Sequence, residues 1–164
     1  MKVDTMRKVD YYAGVPLCFF VSLVFRFAGL FRRWRRSVPR RVLLVELSEM
    51  GSAILVDPAM RKLQRHGAEL FFAIFKKNAA SLRLLGTVPE ENVFTIRESG
   101  LFVLAYDTLR FLFWTRRRNI DTVIDLELFS RYSALLTALS GANNRIGYHA
   151  FHNEGLYRGS LLTH

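Results

Sequence analysis

Three short acidic or hydroxyl-bearing stretches carry the residue types that could do chemistry. The first follows the apolar run 41–47 (RVLLVEL), where Glu46 interrupts the aliphatic pattern and Glu49, Gly51 and Ser52 come directly after. A carboxylate on a strand-to-helix loop can take a proton from a reacting hydroxyl. Ser52 cannot act as a base near neutral pH without a partner, and a serine at a helix start is also suited to capping free N–H groups. Glu49 is therefore the first candidate for proton acceptor and Glu46 the next. Gly51 would allow a sharp turn that brings backbone N–H groups close to a polar ligand, or it is a plain turn glycine.

The second stretch ends the run 122–126 (TVIDL). Asp125 and Glu127 share one face of that strand end because side chains alternate with period two, and they could bind a ligand or cap the next helix. Arg131, four residues past Glu127, suits bidentate bonding to an anionic group or a surface pair with Glu127. The third stretch holds His149, His152, Asn153 and Glu154. Two histidines three apart with no third ligand nearby do not make a metal site, so no metal is assigned and His149, Asn153 and Glu154 are read as cleft lining.

These residues sit within alternating runs. Strands are expected at 41–47, 70–75, 92–97, 122–126 and 145–148, and helices at 52–66, 77–85, 101–117 and 130–139. The aromatics of 101–113 and Trp114 read as core packing, and Arg116–Arg118 as a solvated helix end. Alternation of this kind implies an α/β fold, a Rossmann-like doubly wound parallel sheet whose ligands gather at the carboxyl ends of the strands. There is no GxGxxG, which argues against dinucleotide binding, and no cofactor is implied.

The formal charge of +10 over 164 residues is concentrated at the front. Residues 1–41 hold ten Lys and Arg against Asp4 and Asp10, which leaves +2 for residues 42–164. Fifteen uncharged residues, 11–25, precede Arg26, and apolar character continues to Phe31 before Arg32, Arg33, Trp34, Arg35 and Arg36. That order describes a membrane-associated helix with a basic cytoplasmic flank rather than a nucleic-acid face; a cleaved signal peptide led by Lys2, Arg7 and Lys8 is the competing reading, though no small-x-small cleavage pattern precedes the arginines. Twenty-one residues suffice to span only if Arg26 is tolerated, so a span and a shallow insertion are both open. Pro16 fits a first helical turn, or a kinked or re-entrant insertion. The lone Cys18 has no partner, so no disulfide framework is available. The division expected is an anchor and basic segment at 1–40 and one domain at 41–164.

Residues 42–60 (VLLVELSEMGSAILVDPAM) and 120–148 (IDTVIDLELFSRYSALLTALSGANNRIGY) resemble glycosyltransferase family 9, the lipopolysaccharide heptosyltransferases. Gly51, Pro58, Asp125, Arg131, Ser133, Ser140, Gly141, Arg145 and Gly147 stand at matching places, and the similarity covers roughly 41–150. The resemblance implies the amino-terminal half of a GT-B fold, holding the acceptor, with the carboxyl-terminal donor domain absent from these residues. It also implies an ADP-heptose-like nucleotide-sugar donor gripped mainly by that other domain, a lipid-linked or saccharide acceptor, no metal, and work at the cytoplasmic face of the inner membrane. Gly51, Asp125, Glu127, Arg131, His149 and Asn153 would bind substrate, with Glu127 accepting bonds from sugar hydroxyls. Ser52 stands where the family pattern carries an aspartate, which moves the base to Glu49 and leaves a non-catalytic membrane-associated binding protein as the alternative.

Overall fold

The computed structural model describes residues 3–29, 38–128, 130–148 and 157–164. Five parallel strands, β1 (Arg41–Val45), β2 (Glu69–Phe75), β3 (Val93–Ile96), β4 (Thr122–Asp125) and β5 (Asn144–Gly147), form one sheet in the order β3-β2-β1-β4-β5. The chain winds outward from β1 to β3, then returns to β4 beside β1. That reversal opens a crevice at the carboxyl ends of β1 and β4, where doubly wound sheets receive ligands.

Alternate side chains of the strands feed two cores. Leu43, Val45, Phe71, Ala73, Phe94 and Val123 face one side, with Phe111 of α6 (Leu101–Arg117) and Leu136 of α7 (Arg131–Leu139). Val42, Leu44, Leu70, Phe72 and Ile74 face the other, under α3 (Met50–Leu55), α4 (Asp57–Arg65) and α5 (Ala80–Leu85). Burial on both faces explains the near-continuous apolar runs of the central strands.

The helix expected at 52–66 is two helices that meet at Val56. Pro58 has no N–H to bond the carbonyl four residues back, so the first helix stops and a new one begins with Pro58 in its first turn. The helix expected at 77–85 starts as a 3₁₀ turn, Lys76–Asn78, before α5. Helix α6 matches its expected limits, but its aromatics divide. Phe111 and Trp114 pack on Phe71 and Phe94, whereas Phe102, Tyr106 and Phe113 are exposed on the opposite face.

The N-terminal run forms α1 (Val3–Tyr12) and α2 (Gly14–Gly29), with Pro16 in the first turn of α2. Residues Asp4–Phe27 make a helical stretch of 24 residues, within which an 18-residue window reaches a mean hydropathy of 1.4, long and apolar enough to cross a membrane. Both helices pack on α7. Cys18, Val21 and Phe25 meet Ala134, Ala138 and Leu161 in a third small core, so α1 and α2, drawn as part of an anchor at 1–40, are joined to the sheet domain along one face.

Candidate functional site

A cleft of about 1000 Å³ lies at the β1–β4 crevice. One wall carries Glu46, Glu49, Ser52 and Glu127, and the other carries Arg7, Lys8 and Tyr11 of α1. Glu46 continues β1 past its last ladder residue, and Glu127 stands two residues past the end of β4. The pairing of Val45 with Asp125 therefore delivers both acids to one place.

Glu127 holds the loop after β1. Its Oε1 accepts from Leu47 N at 2.8 Å, Ser48 N at 2.7 Å and Ser48 Oγ at 2.8 Å. Asn78 grips the same loop from the other side, donating from Nδ2 to Leu47 O and Ser48 O, both at 2.9 Å. Glu46 is only 3 % exposed, and its Oε1 accepts from Glu49 N at 3.2 Å. Burial first, and the neighbouring Glu127 second, push the Glu46 carboxyl up to about 8. Two acids desolvated together cannot both ionise cheaply. Since Glu127 is already accepting from three donors, the proton of the pair rests on Glu46.

Glu49 reaches the open side of the cleft. Its Oε2 accepts from Ser52 Oγ at 3.1 Å. Ser52 is the third residue of α3 and does not cap it; Glu49 occupies the N-cap position without a side-chain cap bond. The expected cap is thus replaced by a hydroxyl that fixes the Glu49 carboxylate. Gly51 lies inside the first turn of α3, and a Cβ built on it would meet nothing within 4 Å. Neither a sharp turn nor a close backbone approach requires glycine there.

Three expected ligand residues are already bonded within the protein, although Glu127 and Arg131 line the cleft. Asp125 is 1 % exposed. Its carboxylate accepts from Ser133 Oγ at 3.1 Å, from Glu127 N at 3.1 Å and from Arg158 Nη2. Burial nonetheless raises it to about 6, with Arg158 the largest opposing influence. Arg131 does not pair with Glu127; it is buried and gives Nη1 to Asp10 Oδ2 at 3.1 Å and Nε to Tyr157 O at 2.9 Å. Glu127 has Oε1 turned to the loop backbone and Oε2 to the Ser48 hydroxyl, bonds that a sugar would have to share. Neither Asp125 nor Glu127 caps α7: Ser130 Oγ accepts from Ser133 N, and Asp10 Oδ1 accepts from Arg131 N and Tyr132 N. His149, Asn153 and Glu154 lie outside the described residues.

The sequence reading passed over Asp10, Asn78 and Arg158. Asp10 and Arg158 act across more than thirty residues of chain, and no local spacing announces such partners. Glu46 did leave a signal, an acid within the apolar run 41–47 that ends a strand buried on both faces.

No known family matches the chain by sequence, and no curated protein matches it. The fold is similar to that of a glycosyl transferase of family 9 from Veillonella parvula DSM 2008, with a TM-score of 0.51 and 16% identity over 69% of this chain and 33% of that one. It is similar to the same degree to MurG of Acinetobacter baumannii, with a TM-score of 0.51 and 16% identity over 63% of this chain and 34% of that protein. The chain spans about a third of the length of each. The fold is α/β and Rossmann-like, of the kind these transferases contain.

Proposed function

We propose that these residues form the acceptor side of a membrane-associated glycosyltransferase, in which Glu49 takes the proton of the attacking hydroxyl. The observation that carries this reading is the cluster of Glu46, Glu49 and Glu127 at the switch point of the sheet, facing a cleft large enough for a saccharide. Acids brought together out of water cost stability, and such clusters concentrate where chemistry needs perturbed carboxyls. Glu49 is exposed, held by Ser52, and has its backbone N–H fixed by Glu46. Its position therefore depends on the buried pair behind it.

In this reading the nucleotide-sugar, ADP-heptose-like, is held by a second domain of the GT-B kind, and the acceptor is lipid-linked or a saccharide at the cytoplasmic face of the membrane. Alignment of the hydroxyl, more than any covalent step on the protein, supplies the rate. The test is transfer of labelled sugar from a panel of nucleotide-sugars to lipid and polysaccharide extracts, using membranes that contain the intact gene product. Incorporation above control membranes is expected with at least one donor. No incorporation from any donor, together with binding of an acceptor saccharide, would favour the non-catalytic binding protein instead.

A further inference from the structure

The contacts that join α1 and α2 to the domain run from the last turn of α1 along most of α2. Asp10 accepts from Arg131 N, Tyr132 N and Arg131 Nη1 at 2.9–3.1 Å. Gly14 lies so close to Arg131 that a Cβ there would stand 2.9 Å from its Cβ. Cys18 is fully buried against α7. Ser22 Oγ accepts from Ser160 N at 2.9 Å, and the ring of Phe25 lies 4.9 Å from the Arg145 guanidinium. Gly159 (φ +68°) fits under this helix because a Cβ would fall 2.2 Å from Ser22 Oγ. Residues 10, 14, 18, 22 and 25 make one stripe about 22 Å long at about 1.5 Å per residue.

The far side of α2 is a different surface. Leu17, Phe20, Val24 and Phe27 are 50–65% exposed and line up at helical spacing. A helix crossing the bilayer while docked along its full length would drag the edge of the domain into hydrocarbon. That edge contains Arg131, Arg145, Arg158 and Asp125, groups costly to place there. A helix lying in the plane of the interface satisfies both faces at once. The charge surplus of residues 1–41 matches an anionic leaflet.

We propose that α1 and α2 lie along the surface of an anionic bilayer, docked on α7 by one face and inserted by the stripe Leu17, Phe20, Val24 and Phe27, so that the α1 wall of the cleft is held at the lipid surface. This rests on the membrane association proposed above and fixes its geometry. It also makes α1 a part of the cleft rather than a tether to it.

The experiment uses the full chain in a Cys18→Ala background, with an environment-sensitive fluorophore on single cysteines replacing Leu17, Phe20, Val24 or Phe27. Vesicles of phosphatidylglycerol and phosphatidylcholine carry quenchers at graded depths. All four sites are expected at one shallow depth. A depth that changes steadily by about 15 Å from residue 17 to residue 27 means a crossing helix, which overturns the in-plane arrangement and leaves membrane association standing. No binding to the anionic vesicles overturns both. As a second arm, Phe20→Glu and Phe27→Glu, at side chains more than half exposed, Phe20 lying edge-on to the neighbouring Phe19 ring, should each weaken vesicle partitioning about tenfold or more while leaving the unfolding midpoint little changed. Unchanged partitioning in both would also overturn the proposal.

Discussion

Two groups of buried charge lie a few residues apart at the ends of β1 and β4, and they are built on opposite rules. On the α7 side every acid meets a cation: Asp125 with Arg158, Asp10 with Arg131. On the α3 side Glu46 meets Glu127 with Glu49 beside them, and no arginine intervenes among the described residues. Matched charges fasten segments distant in sequence, here α1 and the carboxyl-terminal stretch, to α7. Unmatched acids fasten little and cost something, so the cleft side is the one whose composition asks for a chemical explanation.

Breaking the matched side should have the largest effect on stability. Arg158→Met leaves Asp125 buried without its cation and should cost about 3–5 kcal/mol in denaturant unfolding. Asp10→Ala strands Arg131 and uncaps α7; because Asp10 keeps some solvent contact, a loss of about 2–3 kcal/mol is expected. Gly14→Ala presses a methyl group onto the Arg131 side chain and should cost about 1–3 kcal/mol. Smaller penalties at Asp10 and Gly14 would mean that the N-terminal helices are only loosely attached, and a smaller one at Arg158 that the carboxyl-terminal stretch is.

The unmatched side should show itself through pH. Below the ordinary carboxyl value of 4.5 Glu46 is protonated folded or unfolded, whereas between 4.5 and about 8 only the folded chain keeps the proton. The folded state then binds more protons than the unfolded one, so stability falls as pH rises through that window. Asp125 adds a decline of the same sign between 3.8 and about 6. Glu46→Gln should therefore abolish the fall between about 6 and 8, keep the part below 6, and leave the variant more stable than the wild type at pH 8. A wild type whose midpoint is flat from pH 6 to 8 would remove the acid pair from the account.

The fold was legible because its signals are local. Apolar runs bounded by helix-length amphipathic stretches place all five strands within a residue or two, and Ser130 caps α7 where the pattern changes. The site was legible only in part. Glu49 and Ser52 come together because they are three residues apart across a helix start. Asp125 and Arg131 were expected to face a ligand; Arg131 does line the cleft, but their partners Arg158 and Asp10 are remote in sequence and already hold their charged groups. A charged residue near a strand end reads the same whether it awaits a ligand or a distant counterion. The difference lies in tertiary contacts, which spacing does not encode.

The central claim is that the unmatched acids serve a reacting hydroxyl, and Glu49→Gln tests it most directly. In the sugar-transfer assay with the intact gene product, turnover should fall by about 10²–10⁴-fold, with acceptor affinity within a few fold and the unfolding midpoint unchanged. Ser52→Ala, which only frees the Glu49 carboxylate from one bond, should lower turnover far less. Wild-type turnover in Glu49→Gln would contradict the claim and reduce Glu49 to a residue of the loop.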